Sequence, residues 1–594
     1  MTITQEKLQE IIAKAKADLE AKKQASAQSN AAKLNAEFKQ TLIVQPIPKQ
    51  EQVAAPQATL SGWSWNEEQK QAIAYGVIGK SFNLIGAAGT GKTTTLRGLL
   101  QAKLESQTVP MLKSSTQYLS TNTPGVILVS YTRRAVRNIA KQMPKELKDH
   151  CLTIHKLLEF APEKYMEDGP EGMPIQKMRF APQRHQGNPL PEEIVTVIVD
   201  ESSMVSIELF ELLVDALPVP ARVQFIFLGD LNQLPPVYGH PILGQKLLQL
   251  PIVELTQVYR QALESPIISL ALAVKNNNFT QFNRDAIELW SGDKYKRENG
   301  TWNYGAFDAK EIREKIVLEK PGRGKVTLHP WKKKTETDVG LAFMQGQLKA
   351  WIDNGEYDPN EDLVLCPWNK SFGTDELNRA IADKLGKKRE ATIFHIIAGY
   401  ENYYYAVGDK LLVDKSEAII EKITSNPRYL GKRAAEPSPQ LDRWGNNAKA
   451  SDGSTDDFDI DAALQSLEDV DERTAQASHL VEVRFIDTGE TQILKTASEL
   501  NKTSYAYAIT VHKAQGSECR KVFFLTHYCH SAMLFRELVY TGITRAAEEI
   551  YIVCSPMMLT KAGHAPRVKG DTLKAKLEFY ASRMKERIGN LDGN

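Results

Sequence analysis

One segment of the sequence places glycines, a lysine and hydroxyl side chains at the spacing that binds a phosphate group. Residues 86–94 contain the pattern G-x-x-x-x-G-K-[ST]. In such a loop the glycines let backbone N–H groups point at a phosphate, and the following helix N-terminus adds positive potential. Lys92 can reach the outer phosphates of a nucleotide, and the Thr93 hydroxyl can bind Mg²⁺. The pattern predicts a nucleoside triphosphate site that comprises Gly86, Ala87, Ala88, Gly89, Thr90, Gly91, Lys92, Thr93 and Thr94.

A second signal is a pair of adjacent carboxylates after an apolar segment. Asp200 and Glu201 follow residues 194–199. Asp200 can hold Mg²⁺ through water, and Glu201 can orient and deprotonate an attacking water. The pair alone is equally compatible with a structural role, but its place downstream of a phosphate loop favours nucleotide hydrolysis. Gln233 follows the next apolar segment and is placed to hydrogen-bond the outermost phosphate or the water.

Two arginines, Arg260 and Arg545, could neutralise the charge that develops on a transferred phosphoryl group. An arginine that reaches this group from an opposed domain is worth about 10³–10⁵ in rate. It would also make hydrolysis depend on closure of the cleft. Taken singly, either arginine would more often form a surface salt bridge. Gln69, before the phosphate loop, can present both a donor and an acceptor to an adenine edge, or it can be a solvated helical residue.

The elements that must position these residues are apolar strands, each followed by polar side chains. Residues 82–85, 126–129, 194–199 and 223–228 form one such set, and residues 363–366, 506–510, 522–525 and 550–553 form a second. Polar groups at the carboxyl ends of successive buried strands mark the ligand-binding edge of a parallel α/β sheet. The sequence therefore predicts an α/β fold with two parallel sheets.

Composition fits a soluble globular protein of several domains. The 594 residues are 42% hydrophobic and 25% charged, with a net charge of +1, so any nucleic-acid surface must be a local groove. The five cysteines show no CxxC pair or metal-type spacing, which indicates free thiols in a reducing cytoplasm. The sequence shows no long apolar span and no secretion signal, so we expect a cytoplasmic protein with no membrane partner.

Four segments depart from the α/β pattern. Residues 1–40 predict a frayed helix in a flexible tail, or a docking element, and residues 45–59 predict a linker. Residues 160–193 are rich in proline and charge, which predicts a small protruding insertion. Residues 451–472 carry nine carboxylates and no lysine or arginine, which predicts a flexible surface excursion.

These motifs, in this order, resemble those of superfamily 1 helicases, and specifically the RecD-like group of class B. The most discriminating blocks are Q-L-P-P-V at 233–237 and H-K-A-Q-G at 512–516. The resemblance implies two RecA-like P-loop NTPase domains with a small 1B insertion and an SH3-like 2B insertion. The implied boundaries are a tail and linker at 1–59, domain 1A at 60–262 and domain 2A at 263–594. Domain 1A contains a 1B pin at about 160–193. Domain 2A contains the 2B insertion at about 400–503, which includes a flexible acidic stretch at 430–478.

The resemblance also implies roles for individual residues. Gln69 and Tyr259 would contact the nucleotide base, Gly516 and Glu518 would lie at the nucleotide site, and Arg260 and Arg545 would be arginine fingers. Taken alone, His155 would more often be a core histidine. The implied contacts to the DNA strand are Thr132, Arg133, Arg134, Thr153, His155, Pro235, Pro236, Thr510 and His512.

By this resemblance the chain would be an ATP- and Mg²⁺-dependent 5′-to-3′ DNA helicase that acts as a monomer on single-stranded and forked DNA. Replisome or single-strand-binding proteins are candidate partners of the tail or the acidic insertion. Three alternatives stay open: a translocase that displaces bound proteins with little unwinding, an RNA helicase, and a nucleotide-binding scaffold that does not move.

Overall fold

The computed structural model describes the protein over residues 65–168, 174–236, 239–258, 264–277, 295–296, 302–303, 316–330, 337–370, 372–399, 401–413, 416–429, 476–486, 489–554 and 562–592. The predicted tail, the linker and most of the acidic stretch lie outside these residues, as do Tyr259 and Arg260. Among the helices of these ranges, none combines the length and apolar character that a membrane span needs.

The strands follow one another along the chain with helices between many of them. In chain order the strands are β1 (Phe82–Gly86), β2 (Val126–Ser130), β3 (Cys151–Thr153), β4 (Ala161–Asp168), β5 (Pro174–Ala181), β6 (Thr196–Val199), β7 (Gln224–Gly229), β8 (Ile252–Leu255), β9 (Tyr295–Lys296), β10 (Trp302–Asn303), β11 (Ile316–Lys320), β12 (Gly324–Pro330), β13 (Leu363–Cys366), β14 (Ile393–Ala398), β15 (Glu401–Ala406), β16 (Lys410–Val413), β17 (Ser416–Ser425), β18 (Gln476–Phe485), β19 (Thr491–Thr496), β20 (Thr503–Tyr505), β21 (Ala508–Thr510), β22 (Cys519–Leu525) and β23 (Ala546–Cys554). The α-helices are α1 (Glu67–Val77), α2 (Lys92–Glu105), α3 (Arg133–Gln142), α4 (Ile154–Leu157), α5 (Ile207–Asp215), α6 (Ile242–Gln249), α7 (Pro266–Lys275), α8 (Thr337–Asp353), α9 (Thr374–Lys388), α10 (Ala497–Leu500), α11 (Arg536–Ile543) and α12 (Leu573–Asp592).

The first α/β unit is built on a six-stranded sheet with the order β3-β2-β6-β7-β1-β8, in which neighbouring strands are parallel. Its central strands are buried, as continuous apolar runs predict. The carboxyl ends of β1, β2, β6 and β7 meet at one edge, which brings the phosphate loop and the polar segments after these strands to the same side. The predicted parallel arrangement of this set is confirmed.

The second α/β unit has a six-stranded sheet with the order β11-β12-β23-β22-β13-β21. Its strands are parallel except β11, which pairs with β12 in the antiparallel direction. All four segments of the second predicted set contribute to this sheet. The side chain of Leu234, from the loop after β7 of the first unit, belongs to the second unit's apolar core and is fully buried.

Two smaller elements interrupt the α/β pattern. Strands β4 and β5 form an antiparallel hairpin within the predicted insertion at 160–193. Strands β16 to β20 form a five-stranded sheet with the order β19-β18-β17-β16-β20, and β14 pairs with β15 as a separate hairpin. The β4–β5 hairpin lies within the predicted 1B bounds, and strands β15 to β20 lie where the 2B insertion is predicted, whereas β14 precedes it. Their SH3-like and pin-like character stays a prediction.

The C-terminal helix α12 packs on the first α/β unit, although the sequence assigns it to the second domain. Tyr580 and Met584 belong to a core that also contains strands of the first sheet, and Leu577 packs against that core. A Cβ on Gly244 of α6 would lie 2.5 Å from the Tyr580 ring, so the glycine permits this close approach. Helical periodicity predicts an apolar face on α12 but carries no information about which unit that face contacts.

Candidate functional site

The phosphate loop connects β1 to α2 and has a backbone that depends on its glycines. Gly89 and Gly91 have φ angles of 79° and 84°, in the left-handed region that favours glycine. The 14-residue helix α2 starts at Lys92, so its free N–H groups face the loop. The Lys92 ammonium donates hydrogen bonds to the carbonyl oxygens of Gly86 at 2.6 Å and Ala87 at 3.1 Å. The loop therefore presents backbone donors and one cation to an anion.

The predicted acidic pair lies at the carboxyl end of β6, two strands from the phosphate loop. Burial and the neighbouring Glu201 raise the pKa of Asp200 to about 7, while the charge of Lys92 acts in the opposite direction. Glu201 has a φ of 48°, a left-handed conformation that is uncommon for a non-glycine residue and often found at functional sites. Mg²⁺ takes oxygen ligands, so the adjacent carboxylates of Asp200 and Glu201 could hold such an ion. A bound dication would also relieve the repulsion that raises the pKa of Asp200.

Replacing Asp200 with asparagine is expected to stabilise the nucleotide-free protein at high pH. In the native state its pKa of about 7 lies above the ordinary value of 3.8, so the ionised carboxylate destabilises the fold as pH rises through this interval. In EDTA at pH 8, Asp200→Asn should raise the melting temperature by about 2–4 °C. At pH 6 the gain should be smaller, because the native carboxyl is then mostly protonated. Scanning calorimetry at both pH values checks this, and an equal or lower melting temperature at pH 8 would contradict it.

Gln233 connects the acidic pair to the second α/β unit. Its carboxamide satisfies both neighbours when the nitrogen donates to Glu201 Oε2 at 3.0 Å and the oxygen accepts from Arg545 Nη2 at 3.3 Å. Gln233 is 7% exposed and Arg545 is 6% exposed. Arg545 also donates to the carbonyl oxygens of Thr541 and Ser517. A candidate base, a candidate phosphate sensor and a candidate finger thus form one hydrogen-bonded chain across the two units.

Tyr540 of α11 makes a second connection that the sequence analysis missed. Its hydroxyl accepts a hydrogen bond from the N–H of Ala88 in the phosphate loop at 2.9 Å and donates to Asp230 Oδ2 at 2.7 Å. Next to it, the Thr541 hydroxyl accepts from the N–H of Leu234 at 3.1 Å. A tyrosine in a buried helix usually needs a hydrogen-bond partner for its hydroxyl, and that need is the sequence signal that points to this contact.

The predicted base contact, Gln69, is almost completely buried on α1. Asn66 and Gln69 form a capping box at the start of this helix, in which the Gln69 side-chain oxygen accepts from the Asn66 N–H at 3.1 Å. The side-chain nitrogen of Gln69 is buried and has no hydrogen-bond partner among the residues described. A buried donor without a partner is costly, so this nitrogen is suited to a ligand. The stacking partner predicted at Tyr259 lies outside the described residues.

Residues predicted to contact DNA are partly engaged within the protein. Thr132 caps α3 and its hydroxyl donates to the carbonyl oxygen of Gln515 at 3.3 Å. Arg133 donates to the Ser416 hydroxyl, and Arg134 pairs with Glu417 at 2.5 Å, so both arginines contact β17. Burial alone would raise the pKa of Glu417, but Lys410, Arg134 and Arg137 hold it below its ordinary value.

The other predicted strand contacts have less distinctive surroundings. The half-buried His155 ring lies 5.8 Å from the exposed Tyr131 ring and 4.9 Å from the half-buried Phe160 ring. Burial and Arg567 lower the pKa of His512. Of the remaining predicted positions, Thr153 caps α4. The others differ in burial: Thr510 and Gly516 are buried, Thr94, Pro235 and Pro236 are half-buried, and Glu518 is exposed.

Gly516 lies against the first α/β unit. Its φ is 73°, and a Cβ there would lie 2.5 Å from the Cβ of Ala135. Its carbonyl oxygen accepts a hydrogen bond from the Asn138 side chain at 2.8 Å. The structure therefore places this predicted nucleotide-site residue at the contact with α3. An exposed aromatic side chain that the sequence analysis did not single out, Trp368, follows β13 at the carboxyl edge of the second sheet.

Two family models and several curated proteins match this chain. Residues 69–239 match a model described as an AAA domain, and residues 505–553 match a UvrD-like helicase C-terminal domain. The chain is 25% identical over 503 residues to the ATP-dependent RecD2 DNA helicase of Deinococcus radiodurans, covering 84% of this chain and 50% of that protein. It is 22% identical over 519 residues to the RecBCD enzyme subunit RecD of Buchnera aphidicola, covering 83% and 73%.

A solved structure, Bacteroides Pif1 bound to single-stranded DNA, aligns with a TM-score of 0.41 and 16% identity over 90% of this chain and 99% of that one. The chain spans about half the length of the Deinococcus relative. The phosphate loop on a parallel sheet defines a P-loop α/β protein. More narrowly, its matched domains and relatives show that the chain is similar to RecD-like helicases, which confirms the predicted resemblance.

Proposed function

We propose that this chain is an ATP-dependent DNA helicase that moves 5′ to 3′ on single-stranded DNA and separates duplex ahead of it. The observation that carries the proposal is the hydrogen-bonded chain from Glu201 through Gln233 to Arg545, which joins the two α/β units. The similarity to an ATP-dependent RecD2 DNA helicase supports DNA as the substrate, and the polarity rests on the resemblance alone. We propose single-stranded and forked DNA as partners and a monomer as the active form.

In this proposal ATP lies against the phosphate loop, with Lys92 on its outer phosphates and Gln69 on its base. Mg²⁺, held by Thr93 and Asp200, neutralises phosphate charge when bound. Glu201 accepts a proton from the attacking water, and Arg545 faces the charge that develops on the transferred phosphoryl group. We assign Arg260 a matching role on the resemblance.

Hydrolysis is coupled to movement because Arg545 belongs to the second α/β unit and the phosphate loop to the first. Both units contact the terminal phosphate of ATP. Because hydrolysis and release remove this phosphate, the spacing between the units changes once in each cycle. We assign residues 60–262 and 263–594 to two RecA-like domains, with α12 docked on the first. The β4–β5 hairpin is the candidate strand-separating pin, and the five-stranded sheet is the candidate SH3-like insertion over the DNA.

Strand-separation assays with a 5′-tailed and a 3′-tailed duplex test this proposal. The wild-type protein should unwind only the 5′-tailed duplex, and only with hydrolysable ATP. Lys92→Ala should abolish unwinding, because this variant lacks the ammonium that contacts the phosphates. Unwinding from the 3′ tail alone, or unwinding by Lys92→Ala, would refute it. DNA-stimulated ATPase without unwinding would instead indicate a translocase, and stronger stimulation by RNA would indicate an RNA helicase.

Glu417→Gln is expected to tighten binding of single-stranded DNA. Glu417 pairs with Arg134 at 2.5 Å, so it competes with DNA phosphates for this cation, and the buried Lys410 lies 3.5 Å from the same carboxylate oxygen. Removing its charge should strengthen binding of a labelled oligothymidylate about 3- to 10-fold at low salt and steepen the salt dependence. Fluorescence anisotropy over a salt series measures this.

The matched control for this prediction is Glu421→Gln on the same strand. Glu421 pairs with Arg484 at the surface, away from α3, so its variant should bind DNA as the wild type does. Unchanged or weaker binding by Glu417→Gln would show that Glu417 does not compete with phosphate for Arg134.

A further inference from the structure

The loop between β7 and α6, residues 230–236, is held by the last helix of the chain. The Lys576 ammonium on α12 donates to the carbonyl oxygen of Leu231 at 3.0 Å and to Asn232 Oδ1 at 2.7 Å. Asn232 in turn donates to Asp230 Oδ1 from its backbone N–H at 2.9 Å and from its side chain at 2.8 Å. Lys576 therefore completes a closed turn directly before Gln233.

Lys576 is an unusual residue to find in this position. It is 7% exposed, and burial lowers its pKa to about 8, although Asp230 and Glu537 act to raise it. Burying an ammonium is unfavourable unless it is well hydrogen-bonded, and α12 could be docked by its apolar face alone. A lysine here thus needs a reason beyond packing. It also lies beyond residues 69–239 and 505–553, which are the parts of the chain that match known domains.

The same loop carries the contacts that join the two α/β units. Asp230 accepts from Tyr540, the backbone of Leu234 contacts Thr541, and the Leu234 carbonyl oxygen accepts from Gln515 Nε2 at 2.9 Å. The turn at Asn232 sets the direction in which the next side chain, that of Gln233, leaves the backbone. Gln233 is the residue that bridges Glu201 and Arg545.

We infer that Lys576 is a positioning residue for nucleotide hydrolysis, which acts by fixing the Asn232 turn so that Gln233 bridges the candidate base and the candidate finger. The C-terminal helix is then part of the hydrolytic machinery. This inference rests on the proposed ATPase function. A displacement of about 1 Å in such a bridge can lower a rate by up to about 10²-fold.

The variant Lys576→Met removes the ammonium but keeps the long apolar stem. At saturating single-stranded DNA it should lower kcat for ATP hydrolysis about 10-fold and leave KM for ATP within about 2-fold, because the residues proposed to bind the nucleotide lie outside this turn. Lys576→Arg, which keeps a cation at this position, should recover part of the rate. Lys574→Met, an exposed lysine on the same helix, is the matched control and should behave as the wild type.

A double-variant comparison separates positioning from a purely structural role. If Lys576 acts through Gln233, then Gln233→Ala combined with Lys576→Met should be no slower than Gln233→Ala alone. Leu577→Ala removes apolar contact between α12 and the first unit's core but keeps the Lys576 ammonium, so it should lower the melting temperature while kcat below that temperature stays within about 2-fold of wild type.

The outcomes distinguish this inference from the proposed function. Suppose that the wild type is active. If Lys576→Met keeps full kcat, or if it multiplies the loss caused by Gln233→Ala, the inference is overturned and the helicase proposal is unaffected. A wild type whose ATPase ignores nucleic acid overturns the helicase proposal. If the wild type shows DNA-stimulated ATPase and Lys576→Met lowers kcat only when Gln233 is present, the result supports both the inference and the helicase proposal.

Discussion

Arg545→Ala is expected to lower the DNA-stimulated ATPase rate by about 10³-fold, the lower end of the effect of an arginine finger. The guanidinium is buried and lies one glutamine away from Glu201, so it is placed to stabilise charge that develops during hydrolysis. Nucleotide affinity should change much less, since this interaction strengthens only as the phosphoryl group leaves. Steady-state hydrolysis and binding of a fluorescent ATP analogue measure the two effects separately.

Two further variants sharpen the interpretation of this result. Arg545→Lys should recover little activity, because a lysine cannot reproduce the fork that also donates to Thr541 and Ser517. Arg520→Ala removes a surface arginine of the same α/β unit, 44% exposed, that lies 3.9 Å from Glu361 and 3.8 Å from Asp362. It should hydrolyse ATP at the wild-type rate. A loss of less than about 10-fold in Arg545→Ala would contradict the finger assignment, since arginine fingers contribute far more.

Glu201→Gln is expected to lower kcat about 10³-fold while ATP and DNA still bind. General-base catalysis contributes about 10²–10⁴ in rate, and glutamine cannot accept the proton of the attacking water. The substitution preserves side-chain shape and keeps an oxygen that can accept from Gln233, so the contact between the units should persist. Single-turnover hydrolysis in the presence of single-stranded DNA provides the rate.

The control for this second prediction is Glu146→Gln, an exposed glutamate of the first α/β unit. This variant should match the wild type in rate and in binding. If Glu201→Gln hydrolyses ATP at more than about a tenth of the wild-type rate, another group must accept the proton.

The sequence predicts the framework of the site because its signals are local. Each apolar strand ends at a motif, and parallel pairing places these ends at one edge. The phosphate loop depends on glycines whose left-handed backbone the pattern already requires, at Gly89 and Gly91. These features involve residues within about ten positions of one another, which is the range over which periodicity and turn chemistry act.

The contacts that join the two α/β units could not be predicted in the same way. Tyr540 and Ala88 are 452 positions apart, and Lys576 and Leu231 are 345 positions apart. Such pairs form only once two sheets and the C-terminal helix have docked, and no local pattern encodes their geometry. The engagement of Arg134 by Glu417, 283 positions away, is of the same kind. For this reason the sequence motif predicts a role for Arg134 but does not predict that Glu417 pairs with it.

The measurement that tests the coupling of hydrolysis to movement most directly is the distance between the two α/β units during turnover. Fluorophores on the exposed Cys529 and on a cysteine introduced at the exposed Arg97 report it by single-molecule energy transfer, with Cys529→Ser as the labelling control. With ATP and single-stranded DNA, the wild type should alternate between two distances, and Glu201→Gln should remain at one. A single unchanging distance in a wild type that is hydrolysing ATP would contradict the account.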